Sequence, residues 1–121
     1  MSHAAQAYAR TSQTTASPRE IEAQALLKAA RQLLDVQANW AGPDKNMHNA
    51  LLFNRRLWSI FMSAMETNDN PQPLEIRQNI ANIGVFVMKH TIEIQMDPDP
   101  AKLKSLIDIN CNIAAGLAGR A

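Results

Sequence analysis

Apolar side chains recur along most of this chain at intervals of three and four residues, which is the spacing of an α-helix with one buried face. The pattern predicts four helices, separated by short polar or proline-containing breaks. They run from the Ser17 cap to just before Gly42, from Asp44 to near Glu66, from Leu74 to Met96, and from the residues after Asp97-Pro98-Asp99-Pro100 to the stretch between Gly116 and Gly119.

The breaks between these helices carry recognisable start and stop signals. Ser17-Pro18-Arg19-Glu20 combines a capping serine, a proline at the first helical position and a glutamate placed to reach back to the cap. Asn70 precedes two prolines and is predicted to cap the third helix. With four helices, short connections and no strand signal, the chain is predicted to be an all-α protein, a small four-helix bundle.

The third predicted helix is unusual because its second half is apolar on nearly every side. Val85-Phe86-Val87 could also be a buried strand, but the helical pattern continues through it without turn residues. A helix that is apolar all round is buried, so this one is predicted to lie in the middle of the bundle.

The first sixteen residues differ in composition from the rest. They are rich in Ala, Gln, Ser and Thr, and Tyr8 is the only bulky apolar residue after Met1. Ordering them would cost conformational entropy that few contacts repay. We therefore expect a flexible tail over residues 1–16 and a single helical domain over residues 17–121, with Tyr8 able to anchor the tail to the body or to a partner.

Charge and composition exclude several classes of function. The 12 basic and 11 acidic residues nearly cancel and are scattered, so no broad field attracts nucleic acid or an anionic membrane. No run of about 18 apolar residues or secretory signal is present, so we expect no membrane insertion. The single cysteine, Cys111, suits a reducing compartment, and a cytoplasmic location is expected.

No motif predicts catalysis or a cofactor. The sequence has no helical His-Glu-x-x-His, no glycine-rich phosphate loop and no serine elbow. His3, His48 and His90 share no metal-ligand spacing with Cys111. We expect a protein that is not an enzyme and holds neither a metal nor a cofactor.

Two groups of residues suggest how the protein binds a partner. Asn54 and Asn110 interrupt apolar stripes and are predicted to pair inside the bundle, because an unpaired buried amide is costly. Met62, Met65, Met88 and Met96, with other excess apolar surface on the second and third helices, suggest a groove for an amphipathic helix. The candidate partner contacts are Trp58, Met62, Met65, Phe86 and Met88, with Arg55 and Arg56 at the rim.

A series of short motifs, in order along the chain, resembles the FlaF family of flagellar biosynthesis regulators. It begins with Tyr8 and the capping motif at Ser17, and continues through Asn54-Arg55-Arg56-Leu57-Trp58. Further matches are Asn70, Pro73, Arg77, Ile80, Ile83, Phe86-Val87, Thr91, Leu106-Ile107-Asp108-Ile109-Asn110, Ile113 and Gly116-Leu117.

The resemblance implies a cytoplasmic protein needed for flagellin production and export. The implied role is similar to that of a flagellin-binding chaperone, and it is carried out alongside the flagellin translation repressor FlbT. Two alternatives stay open on the sequence. One is a post-transcriptional regulator that binds flagellin mRNA directly, which Arg55-Arg56 beside Trp58 favours and the near-neutral charge opposes. The other is an adaptor for FlbT or the flagellar export apparatus.

Overall fold

A computed structural model describes residues 17–67 and 70–119. They form four α-helices with no strand among these residues, which confirms the predicted all-α class. We number them α1 (Pro18–Ala38), α2 (Lys45–Glu66), α3 (Leu74–Met96) and α4 (Leu103–Leu117). The predicted tail over residues 1–16 lies outside the described residues.

The first two helices begin where the sequence predicts. The Ser17 side-chain oxygen accepts a hydrogen bond from the Glu20 amide at 3.2 Å, with Pro18 at the first helical position. The Asp44 carboxylate accepts from the Met47 amide at 2.9 Å. Gly42 lies between the two helices at a φ of 87°, a left-handed conformation that glycine adopts at no steric cost.

The turn between α2 and α3 is held by side chains in a way that differs from the prediction. Asn70 does not cap α3; its side-chain amide donates to the carbonyl of Ala64 instead, and α3 begins without a side-chain cap. Arg77 donates to the carbonyl oxygens of Met65, Thr67 and Gln72, at 3.2, 3.0 and 3.1 Å. Its guanidinium thus satisfies carbonyls at the end of α2 and ties the turn to α3.

The connection between α3 and α4 contains an element that the sequence pattern did not predict. Pro100–Lys102 forms one turn of 3-10 helix, and the Asp99 carboxylate accepts from the Ala101 amide at 2.9 Å. Pro98 and Pro100 restrict the backbone on either side of Asp99. The two helices therefore meet through a short and stiff linker.

The packing of the helices leaves one side of the bundle open. α1 packs closely against α4 and α2, and α2 packs closely against α3, whereas α3 and α4 are not closely packed against each other. The core between them is made of aliphatic, methionine and aromatic side chains. Its largest fully buried members are Trp58, Leu26, Leu33, Met47, Leu51, Ile94, Leu103 and Leu106.

The position of α3 corrects one prediction. The helix lies at the edge of the bundle, not in its middle, and six of its large apolar residues are exposed, namely Leu74, Ile76, Val85, Phe86, Ile92 and Met96. Because α3 packs closely only against α2, only one face of the helix is buried in the core. The apolar residues on its other faces stay at the surface.

A chain of buried hydrogen bonds links α2, α4 and α1, as predicted for the two amides. The Trp58 indole N–H donates to the Asn110 side-chain oxygen at 2.9 Å, and the Asn110 amide donates to the Asn54 oxygen at 2.7 Å. The same Asn110 amide lies 3.4 Å from the carbonyl of Leu26. Because an indole only donates, it fixes the orientation of both amides, and the Asn54 Nδ2 is left without a partner.

In the described part of the chain, no helix combines the length and the apolarity that crossing a membrane requires.

Candidate partner-binding groove

An open groove lies between α3 and α4, on the side where these helices do not pack closely. Its wider end has a volume of about 500 Å³ and is formed by the start of α3, the end of α4 and one residue of α1. Aliphatic side chains line most of it, and two asparagines lie among them. The lining residues are Arg19, Gln72, Pro73, Ile76, Asn79, Ile80, Ile83, Asn112, Ile113, Gly116 and Leu117.

The groove continues towards the α3–α4 linker as a narrower region of about 220 Å³. The two regions share Ile83, Asn112 and Ile113, so they form one continuous surface, and Phe86 and Ile109 complete the narrow end. We use the name groove for both regions together. An elongated apolar surface with a few amides matches the sites in which proteins hold amphipathic helices.

Phe86 is held at the narrow end by His90. The two rings stack with centroids 5.3 Å apart and planes 13° from parallel. The His90 Nε2 is 2.8 Å from the carbonyl oxygen of Lys102, and Nδ1 is 3.3 Å from the Glu93 carboxylate. Because a carbonyl only accepts, Nε2 carries the hydrogen and donates a hydrogen bond to the Lys102 carbonyl oxygen. These contacts fix His90, so the half-exposed Phe86 ring has a defined position before any partner binds.

Gly116 borders open space at the wide end of the groove. A Cβ placed there would meet nothing within 4 Å, so the space beside the backbone is empty. By contrast, a Cβ on Gly84 would lie 2.5 Å from both Cγ and Sδ of Met62. Gly84 therefore allows α3 to approach α2 closely, whereas a side chain at position 116 would meet no neighbour.

Two of the residues that the sequence suggested as contacts lie in the core. Trp58 is 0% exposed and packs edge-on against Phe61 with ring centroids 5.4 Å apart, and Met65 is 3% exposed. Neither side chain offers surface to a partner in this conformation. Both belong to apolar stripes that a single sequence cannot divide into core and surface.

The other five suggested contacts are at least partly accessible. Met62 and Met88 are partly buried against the core, while Phe86, Arg55 and Arg56 are exposed. Only Phe86 of the seven lines the groove. The sequence suggested a groove on the second and third helices, and the open groove of the structure lies between the third and fourth.

Several groove residues were not singled out from the sequence as contacts. Ile109 is an apolar residue outside the stripe with which the fourth helix was predicted to pack. An apolar residue that the core does not require was the one sequence feature that could have indicated it as a contact. Asn112, Asn79 and Arg19 carried no signal, because a polar residue at a groove edge has the same pattern as one on a solvated face.

A second depression, of about 410 Å³, lies where α1 and α2 meet. Residues with polar side chains line it, among them Asp35, Asp44, Asn39, Asn46 and Asn49. Within the two described stretches, no three or more His, Cys, Asp or Glu side chains are grouped so that they could hold a metal ion.

The fold and the groove define a small helical-bundle protein that leaves an apolar surface open between its last two helices. A family model described as flagellar protein FlaF matches residues 4–117, which is nearly the whole chain, and the chain belongs to this family. A comparison with curated proteins gave no match. A comparison with solved structures also gave none.

Proposed function

We propose that this protein acts in the cytoplasm as an export chaperone for flagellin, that it works by binding and not by catalysis, and that it couples flagellin export to flagellin translation. The observation that carries the proposal is the groove between α3 and α4, in a chain of a flagellar protein family. The terminal segments of flagellin are amphipathic and helical when assembled, which is the chemistry that such a groove receives.

The dimensions of the groove suit a short stretch of helix. Along α3 it extends from Ile76 to Phe86, which is about 15 Å at the rise of an α-helix. A partner helix of about three turns covers this length and presents apolar side chains at positions i, i+3, i+4 and i+7. The amides of Asn79 and Asn112 are available to polar groups at the edges of such a helix.

A regulator that acts through flagellin mRNA is the second candidate, and one observation favours it. Arg55 and Arg56 are neighbours on α2 and both are exposed, as a phosphate-binding pair must be. Two arginines release about two counterions, and the net charge of the chain is only +1, so the affinity for RNA would be low. A route through FlbT or the export apparatus, without direct flagellin contact, is a further form of the same regulatory role.

Binding of purified flagellin at low and high salt separates these candidates. We expect the full-length protein to bind monomeric flagellin, with an affinity that changes little with salt because the contact is apolar. RNA binding predicts the opposite, a steep loss of affinity as salt rises. No binding to flagellin at either salt concentration would refute the chaperone proposal.

A matched pair of variants tests whether the groove is the contact. Ile76 lies in the groove and is 42% exposed, while Ile92 is on the same helix, 54% exposed and outside the groove. Ile76→Gln is expected to weaken flagellin binding roughly tenfold, because burying an unpaired amide costs about 1–3 kcal/mol. Ile92→Gln makes the same chemical change and should leave binding unaltered. Equal effects of the two variants would contradict the assignment of the groove.

A further inference from the structure

A second stripe of mainly apolar residues runs along α3, on the side away from the groove. Its members follow one another at alternating intervals of four and three residues, about 3.5 on average, which is the heptad spacing of helices that pair side by side. We call this stripe the outer seam, and its residues are Leu74, Gln78, Ala81, Val85, Met88 and Ile92. Ile92 follows Ile83 of the groove by about two and a half helical turns, so the outer seam and the groove lie on opposite sides of α3.

The outer seam is accessible although most of its residues are apolar. Leu74, Val85 and Ile92 are exposed, and Ala81 and Met88 are only partly buried. Of the described helices, α2 alone packs closely against α3, and it leaves these side chains at the surface. A continuous row of exposed apolar side chains on one helix indicates an interaction surface.

The two edges of the outer seam differ in accessibility. Gly84 and Thr91 lie along one edge and are buried, so the chain itself closes that edge. Glu75, Asn82 and Lys89 lie along the other edge, seven residues apart, and all three are exposed. Neither Glu75 nor Lys89 forms an ion pair within the described residues. The open edge therefore carries one acidic and one basic residue at equal distances from Asn82.

This charge pattern is complementary to itself when two copies of α3 run antiparallel. With Asn82 near the two-fold axis, Glu75 of each copy lies beside Lys89 of the other, which gives two ion pairs. A parallel pair lacks this match, because Lys89 then faces Gly84, which is buried. A surface of one sign, such as an anionic membrane, would attract Lys89 and repel Glu75. The charges therefore favour a second copy of this chain as the partner.

The residues of the outer seam fit the same antiparallel pairing. In each layer a residue of one copy meets a different residue of the other. The layers pair Leu74 with Ile92, Gln78 with Met88, and Ala81 with Val85. The central layers match the small Ala81 with the branched Val85, which lets the two helices approach closely. Gln78 is the one polar residue of the seam, and a single polar residue at such a position specifies register at a cost in affinity.

From these observations we infer that the outer seam is a self-association surface, through which two copies of this protein form a weak, symmetric, antiparallel dimer. The seam covers about 27 Å by about 10 Å of helix surface, less than the roughly 800 Å² per partner of a standard interface. The dimer therefore forms and dissociates, with a Kd in the micromolar range or above. Both grooves stay open in it, because they lie on the opposite side of α3.

Sedimentation of the full-length protein at increasing concentration tests the self-association. We expect the average mass to rise from 13.4 kDa towards twice that value. Ile92→Gln should weaken association about a hundredfold, because an unpaired amide costs about tenfold and a symmetric interface contains it twice. Ile76→Gln is the matched control, since Ile76 is exposed on the same helix but lies in the groove. A constant mass up to about 1 mM, or equal effects of the two variants, would overturn the proposal.

Charge reversals test the contact between Glu75 and Lys89 without changing an apolar residue. Glu75→Lys and Lys89→Glu each place like charges opposite one another, so each variant alone should associate several-fold more weakly at low salt. An equal mixture of the two should associate more tightly than either, because opposite charges then meet in both pairs. Glu20→Lys mixed with Lys28→Glu makes the same changes on α1 and should show no gain. No gain for the first mixture, or equal gains for both, would contradict the contact.

Cross-linking tests the direction of the two helices. Asn82→Cys in a Cys111→Ala background, treated with a short bis-maleimide, should give a covalent dimer, because position 82 lies near the two-fold axis. Asn79→Cys, in the groove, should stay monomeric. In a parallel pair the two copies of position 82 lie on opposite edges of the seam, so a missing cross-link there would refute the antiparallel arrangement. None of these measurements contains flagellin, so their failure is separate from failure of the proposed function.

Discussion

The buried hydrogen bonds of Trp58, Asn110 and Asn54 predict that two chemically identical substitutions have very different costs. Asn110→Leu removes the acceptor of the Trp58 indole and the donor to the Asn54 oxygen. Asn54→Leu removes one hydrogen bond, but it also removes the Asn54 Nδ2, which is already buried without a partner. Each variant replaces one buried asparagine by leucine. The difference in stability therefore depends on which donors and acceptors each variant leaves unpaired, and so on the direction of each hydrogen bond.

The expected difference follows from the groups that each variant leaves unpaired. Asn110→Leu leaves two, and at about 1–3 kcal/mol each the loss in the free energy of unfolding is about 2–6 kcal/mol. Asn54→Leu leaves the Asn110 amide with its contact to the Leu26 carbonyl at 3.4 Å and eliminates one orphan donor. Its expected cost is about 1 kcal/mol or less. The cost of the larger leucine side chain is common to both and cancels in the difference.

Urea denaturation, followed by helical circular dichroism and tryptophan fluorescence, measures this difference. Both variants should unfold in one transition with unchanged dependence on urea, so that their midpoints report stability directly. Equal losses, or a larger loss for Asn54→Leu, would refute the assigned directions of the hydrogen bonds. The double variant, with leucine at positions 54 and 110, adds a check. Only the Trp58 indole N–H then lacks a partner, so the loss in the free energy of unfolding should be close to that of one unpaired donor.

Four further substitutions test the packing and the charges. Gly84→Ala is expected to destabilise by about 1–3 kcal/mol through its clash with Met62, and Gly116→Ala to stabilise by up to about 1 kcal/mol, both by thermal unfolding. Arg77→Lys should cost about 1.5–3 kcal/mol in urea, because the guanidinium donates to the three carbonyls from two nitrogens, Nε and Nη1, and lysine has one nitrogen in place of these two. Burial raises the pKa of Glu22 above its ordinary value of 4.5, so the folded state binds the proton more tightly and stability falls as pH rises through this range. Glu22→Gln should remove that slope and stabilise by less than about 1 kcal/mol at neutral pH, because the carboxyl is only partly buried.

Each of these has a result that would contradict it. Equal shifts for the two glycines would mean that α2 and α3 do not approach closely at position 84. A harmless Arg77→Lys would mean that the carbonyls at the end of α2 are satisfied by water. An unchanged pH profile in Glu22→Gln would show that its carboxyl is fully solvated in the folded protein.

The helices were predictable because their signals are local. Ser17 and Asp44 each accept a hydrogen bond from the backbone amide three residues further along the chain. The starting residues of α1 and α2 follow from these local contacts. Asn70 shows the limit of this reasoning. Its side chain has equally good local partners in the preceding turn, and the long-range contacts of Arg77 close that turn, which no local pattern reveals.

The groove was harder to predict because it depends on which helices fail to pack. Apolar residues on α3 have the same pattern whether they face α4 or solvent, and the sequence therefore predicted a central helix where the structure has an edge. Trp58 and Phe86 illustrate the same difficulty, since both are aromatic residues on amphipathic helices. One is fully buried and the other is half exposed, and only the arrangement of neighbouring helices separates them.

The short linker between α3 and α4 makes the groove sensitive to small rotations. With Pro98 and Pro100 restricting the backbone and His90 holding Lys102, the two helices are joined firmly at one end and free of each other at the other. α3 is about 34 Å long, so a rotation of about 5° at the linker moves its far end by about 3 Å. The width at Ile76 and Gly116 therefore varies about twice as much as the width at Phe86. Helices with differently sized side chains can then be accommodated at the wide end while the aromatic end keeps its shape.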